Sequence, residues 1–432
     1  MKKLFLLLLA LCLWMSLCAC NQTQQEQTGP SEPTGPTTSV SAYKSEGNFE
    51  KLQGQLTWEK INAFPIKSSD MTTDEMRDLC VDFLRFSKTA LWVADDNFPI
   101  LNSAGEVARS VEKGVVYGGL PYVGVASGNV YRLMDYMDEE TGVVNVKAAG
   151  ENQELFGNQC SICAWWGWAR VINSVDFKWT YDCVTSRGFP YVGERLYKDD
   201  LKRFTTSYGT DEVMKENDMQ KIFECYAQLK AGDGIMYMTT AGHVVMISGD
   251  AVVERTASGA IDPANSYVTV LDQTTQWRTG TNEFGESYTY EANVDAKWTF
   301  MSLYEGNYVP FTYKEFLGED PVEETEISFS HTGDTINKYE LYRSYVSCNY
   351  SLVDAYAIVR DSKGNEVLKV ASRAHQAGMK DLRFVTQESE KTLFEWGAWE
   401  SLSKKEKYTL EIIAQVGTGE RPSLWKGKLE LV

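Results

Sequence analysis

Apolar and polar residues follow two different periods along this chain, and the change between them divides it. Thr72-Thr73-Asp74-Glu75 has capping-box spacing, and apolar residues then recur near the helical period at Met76, Leu79, Cys80, Phe83, Leu84 and Leu91. This predicts an amphipathic helix whose stripe packs on a core. "SAGEVARSVEKG" and "NVYRLMDYM" carry weaker helical spacing. "KGVVYGGLPYVG" between them is broken by Gly and Pro into a loop or a short strand. Helix is predicted again from Cys160 to about Ser174, and over "NDMQKIFECYAQLKAGD", where it stops at Gly232. Strand-like runs follow at Gly234–Thr239, His243–Ser248, Ala251–Arg255, Tyr267–Leu271 and Trp298–Tyr304. Helices followed by a run of antiparallel strands predict an α+β domain.

Beyond Pro321 the period shortens. "EISFS", "NKYELYRS", "DAYAIVRD", "EVLKVAS", "YTLEIIAQV" and "SLWKGKLELV" alternate and are divided by turn signals such as Asp361-Ser362-Lys363-Gly364-Asn365. This predicts an all-β, Ig-like sandwich over residues 321–432, folding as a unit of its own. It carries no repeat and no chemical motif. His331 and His375 lie there without a nucleophile in their own segments and read as surface residues.

The other end reads differently. Lys2 and Lys3 precede an apolar run from Leu4 to Trp14 and small residues around Ala19. A charged start followed by an apolar stretch too short to span a bilayer predicts an export signal over residues 1–19. Residues 20–45 are rich in Gln, Thr, Pro and Ser with few apolar residues, so they predict a disordered tether. The α+β part then occupies residues 46–320.

Composition sharpens this picture. With 43% hydrophobic and 12% aromatic residues, both folded parts have material for a core. A net charge of -18 argues against a nucleic-acid partner, which needs clustered Lys and Arg, and against general attraction to anionic lipid. Beyond Cys20 the cysteines are Cys80, Cys160, Cys163, Cys183, Cys225 and Cys348, at spacings that form no disulfide framework. Cys160 and Cys163 have C-x-x-C spacing, but no second pair or nearby histidine completes a zinc site. Neither a metal nor a cofactor is expected.

Chemistry concentrates in "GNQCSICAWWGWARV", residues 157–171. Taken alone, Cys160 reads equally as buried structure or as a nucleophile at a helix head. The chain has only three histidines. In "LKAGDGIMYMTTAGHVVMISGD", His243 opens a strand after a tight turn, where its side chain projects toward a helix packed across the sheet. A helix dipole and an imidazole together lower a thiol pKa from about 8.5 and supply thiolate at neutral pH. Cys163, one turn further in, reads as core, and Cys183 and Cys225 as buried or paired.

These segments resemble a known family. "NQCS" with its aromatic helix ending in Arg170 resembles the start of CHAP amidase/peptidase domains. "LKAGDGIMYM…GHVVMISG" is similar to the Gly-Asp-strand-His stretch shared by CHAP and NlpC/P60 domains, and "YVTVLDQTTQW" to the next CHAP strand. The likeness covers Asn158–Arg170 and Lys230–Thr274, with a Trp- and Tyr-rich insertion between. It implies a papain-like fold of N-terminal helices and an antiparallel sheet. Cys160 matches the nucleophile, His243 the base and Asp272 the orienting carboxylate. Thr274 stands where CHAP domains carry Asn, so Gln273 is a fallback partner for the imidazole. Gln159, Tyr122 and Trp165 are the candidate substrate contacts.

The family acts on peptidoglycan, which makes wall amide or peptide bonds the implied substrate. Leu17-Cys18-Ala19-Cys20 resembles the lipobox of bacterial lipoproteins. That likeness implies lipidation at Cys20 and a membrane-anchored, extracytoplasmic protein held only through its lipid. The sandwich is left to bind a protein or glycan ligand. Two other readings stay open: a non-catalytic surface lipoprotein that keeps the fold, and a papain-like protease acting on proteins.

Overall fold

A computed structural model describes residues 52–101, 106–124, 127–150, 156–175, 180–374, 376, 378–384 and 396–431. The expected signal (1–19), the tether (20–45) with Cys20, and His375 lie outside the described residues. Where described, the chain is α+β, and no helix in it is long and apolar enough to cross a membrane.

The chain enters through α1 (Trp58–Asn62) and α2 (Thr73–Thr89). At α2 the capping box forms, with Thr72 and Glu75 each bonding the other's backbone N–H. Met76, Leu79, Cys80, Phe83 and Leu84 are buried as expected. Ala90 leaves helical geometry (φ −63°, ψ 126°), so Leu91 starts β1 (Leu91–Ala94) instead of extending the helix.

Next come β2 (Phe98–Leu101), β3 (Val107–Val111), β4 (Val116–Gly118), α3 (Val130–Met134), β5 (Met137–Asp138), β6 (Val143–Val144) and α4 (Val146–Gly150). β3 corrects the helix expected over "SAGEVARSVEKG". It pairs antiparallel with β2, and the β-branched Val107 and Val111 at its ends suit a strand. α5 (Cys160–Trp168) stops short of Ser174, because the Asn173 and Ser174 N–H groups go to the Glu315 carboxylate instead of to a further turn.

After α6 (Thr210–Glu216) and α7 (Met219–Tyr226) run β7 (Gly234–Met238), β8 (Gly242–Val252), β9 (Tyr267–Thr281) and β10 (Ser287–Thr299). α8 (Phe300–Glu305), β11 (Val309–Phe311) and α9 (Lys314–Leu317) complete this part. Thr299 caps α8, which replaces most of the strand expected over Trp298–Tyr304. One nine-stranded sheet results, in the order β11-β7-β8-β9-β10-β4-β1-β6-β5. It is antiparallel from β11 to β10, but β10–β4 and β1–β6 are parallel pairs. The expected antiparallel sheet is therefore half of a mixed one.

The rest comprises β12 (Ile327–Phe329), β13 (Thr335–Asn337), α10 (Lys338–Arg343), β14 (Tyr345–Cys348) and β15 (Leu352–Arg360). β16 (Glu366–Arg373), β17 (Asp381–Arg383), β18 (Tyr408–Val416) and β19 (Ser423–Glu430) follow. A three-stranded sheet (β12-β14-β17) and a five-stranded one (β13-β19-β18-β15-β16) share a core that includes Ile336, Leu341, Val346, Leu352, Leu410 and Ile412. α10 replaces the strand expected over "NKYELYRS", because Asn337 and Glu340 make a second capping box.

β15 is buried on both faces. One face joins that core; the other turns Asp354 and Tyr356 toward α3. There Asp354 pairs with Arg132 at 3.0 Å and with Arg373 at 2.9 Å, and Arg373 also reaches Asp135 at 2.8 Å. Residues 321–432 are thus tied to the first part through buried ion pairs.

Candidate active site

Three segments distant in sequence meet at the first turn of α5. Gln159 is extended (φ −95°, ψ 170°) and places no side-chain cap on the helix that Cys160 opens, so the positive helix end lies at Cys160. α5 packs on β8 and β9. Gly167 permits the approach: a Cβ there would stand 2.8 Å from Met246 Cε and 2.9 Å from Leu84 Cβ.

His243 sits opposite Tyr237 near the start of β8, and Asp272 follows Leu271, which faces Met246 of β8. The His243 ring and the backbone of Val244 adjoin the Cys160 thiol and lower its pKa. On the far side of the ring, Nε2 lies 2.8 Å from Asp272 Oδ1. That buried oxygen has no other partner, so a ring protonated at Nε2 is what satisfies it.

The charges follow from this line. Burial pushes the Cys160 thiol up, but the His243 ring and the Val244 hydrogen bond outweigh it and hold the thiol below its ordinary value. Burial likewise opposes charge on His243, yet Asp272 and Cys160 raise the ring well above the usual histidine range. Both directions favour a thiolate–imidazolium pair.

Three neighbours were not read from the sequence. Asn293 of β10 stands directly across from Asp272 and donates from Nδ2 to Oδ2 at 2.9 Å. Tyr237 and Tyr308 flank the imidazole with ring centres 6.1 and 6.5 Å away, and pack edge to face on each other at 5.3 Å. The available signal was the turn Asn282–Gly285 between two alternating runs, which pairs β9 with β10.

The remaining candidates fall in different places. Gln159 is buried beside Cys160, and Tyr122 is half-buried with its backbone bridged to Asn158. Trp165 is 1% exposed, so the ring expected to line a groove is core and offers no face to a ligand. Gln273 is not on the imidazole: Nε2 donates to Leu120 O at 3.0 Å and Oε1 accepts from Lys88 Nζ at 3.0 Å. The Thr274 hydroxyl accepts from the Gln276 N–H within β9. Cys163, Cys183 and Cys225 are buried and free. Among the described residues no cluster of His, Cys, Asp and Glu is arranged to hold a metal ion.

An activated thiol at a helix head, a base on one side and a carboxylate behind it can carry out acyl transfer, with the Cys160 amide N–H as an oxyanion donor. Comparison with protein-family models, curated proteins and solved structures finds no match for this chain.

Proposed function

We propose that this protein is a lipid-anchored, extracytoplasmic cysteine hydrolase that cleaves amide or peptide bonds of peptidoglycan. The observation that carries the reading is the continuous Cys160–His243–Asp272 line. In the proposed reaction the Cys160 thiolate attacks the carbonyl carbon and the His243 imidazolium gives its proton to the leaving amine. Water then attacks the thioester with His243 as base, which releases the acid and restores the thiol. In this reading residues 46–320 are a papain-like domain of the CHAP or NlpC/P60 kind. Residues 321–432 are an Ig-like sandwich that positions it or binds a protein or glycan ligand.

One observation favours a second reading. Cys160 is only 3% exposed, which suits a surface module that keeps the fold without the chemistry. Mass spectrometry of fragments released from purified cell wall separates the two. The hydrolase reading expects new amine and carboxyl ends that vanish in Cys160→Ser. Unchanged wall in the presence of folded wild-type protein would leave the module reading, and release of peptides from protein substrates alone would point to a protease.

A further inference from the structure

The short loop between α8 and β11 brings a ring against the imidazole, and the proposed reaction gives that ring no part. Asn307 in this loop is left-handed at φ 57°, one of two non-glycine residues with positive φ among the described residues. A residue held there needs surroundings that over-determine it, and such residues gather at functional sites. Its consequence is Tyr308. The Tyr308 N–H donates to the Leu303 carbonyl at 3.0 Å, and its own carbonyl accepts from the Tyr226 hydroxyl at 2.6 Å. Gly306 leaves room for the ring: a Cβ there would stand 2.8 Å from Tyr308 Cε2 and 2.9 Å from Cδ2.

The groups that meet His243 are Cys160 of α5, Asp272 of β9, Tyr237 of β7 and Tyr308. The first two supply charge. Tyr308 supplies none, because burial pushes its hydroxyl well above the ordinary range and keeps it neutral. What it supplies is cover. Its ring packs against those of His243, Tyr237 and Trp298, with centres 6.5, 5.3 and 5.4 Å away, and the residue is buried. Behind this cover the Asp272 side chain is 5% exposed. A charge pair gains several-fold more attraction in such a place than in water. Burial by itself would lower the His243 pKa, but Asp272 and Cys160 overcome it, so the net shift is upward. Admitting water weakens all of these effects together and returns the ring toward its ordinary value of about 6.5.

We propose that Tyr308 is a positioning residue whose ring, set by the left-handed turn at Asn307, keeps water from the His243–Asp272 pair and holds the imidazole against the carboxylate. The inference rests on the Cys160–His243–Asp272 line of the proposed function and not on hydrolysis itself. It is tested by NMR titration of the three histidines, with His243→Gln identifying the His243 signal. Tyr308→Ala should lower the His243 midpoint by about one pH unit or more. Tyr308→Phe should leave it in place, because the ring remains. Asn307→Gly accepts the same φ and should also leave it. Asn307→Val does not accept it and should lower the midpoint, which supplies the test if Tyr308→Ala fails to fold. A ring that serves packing alone would lower the melting temperature in Tyr308→Ala and leave the His243 midpoint where it was, and that result overturns the proposal. So does a midpoint in Tyr308→Phe as low as in Tyr308→Ala, which would assign the effect to the hydroxyl. A protein that titrates as expected but leaves cell wall intact supports this inference and counts against the hydrolase reading.

Discussion

Asn293 and Asp272 face each other across β9 and β10, and the amide of one holds the outer oxygen of the other at 2.9 Å. The inner oxygen meets the imidazole of His243 at 2.8 Å. The carboxylate is thus fixed from two sides, and in the proposed hydrolase Asn293 would act as a positioning residue through Asp272. Asn293→Ala should lower kcat by about tenfold with little change in KM, the scale of losing a partner behind a reacting group. It should also move the alkaline limb of the pH profile downward, since a less firmly held Asp272 stabilises the imidazolium less. A structural role alone would lower the melting temperature and leave that limb in place.

A second prediction separates the two cysteines of α5. Cys160 is held below its ordinary pKa by His243 and Val244 against burial, whereas burial wins at Cys163. Iodoacetamide should therefore label Cys160 faster, with a rate that rises at a pH below the roughly 8.5 of an unperturbed thiol. His243→Ala should slow this labelling and push its profile upward. Peptide mapping reads both sites in one digest. Faster labelling of Cys163, or a Cys160 rate indifferent to His243, would sink the thiolate–imidazolium pair.

Much of this site was legible because its signals are local. A helix head at Cys160, a Gly-Asp turn before β7 and a strand that starts near His243 each announce themselves within a few residues. The helix expected over "SAGEVARSVEKG" failed because its spacing was weak and tertiary pairing with β2 decided the outcome. β1, β5 and β6 were hidden for a different reason. They are two to four residues long, too short for an alternating pattern, and β1 joins β6 through a parallel pair with no tight turn between the partners. Asn293 was lost with them, since its role depends on register and not on its own neighbours. Lys88 reads as an ordinary helical lysine until the fold buries it.

Glu291 supplies a pH-dependent prediction. It is 1% exposed, pairs with Arg109 and accepts the Tyr122 N–H at 2.6 Å, and burial raises its pKa to about 7 in spite of both. A carboxyl raised in the folded state contributes stability that is whole below its unfolded value near 4.3 and is lost as pH rises through about 7. Glu291→Gln keeps the protonated shape at every pH. Its unfolding free energy should match wild type near pH 4 and exceed it near pH 8, by on the order of 3 kcal/mol at most. A constant difference across pH would show that Glu291 stays ionised.

The last prediction concerns the junction between the two parts. Arg132 and Asp354 are 1% and 0% exposed at their side chains, and Arg132 also donates to the Val353 and Ala374 carbonyls at 2.8 and 2.7 Å. Val353 itself belongs to the core of the first part. Asp354→Ala leaves Arg132 and Arg373 facing each other without their shared anion, and removing one partner of a buried pair costs about 3–5 kcal/mol. Arg132→Met should be less harmful, because Arg373 still neutralises Asp354. Ending the chain near Asp320 strips Arg132 of its anion and two carbonyls at once and uncovers apolar surface around Val353. Thermal denaturation should then show a large loss for Asp354→Ala, a smaller one for Arg132→Met, and a shortened chain less stable than either. A shortened chain that melts like the full protein would establish that residues 321–432 stand alone and that the buried pairs contribute nothing to the first part.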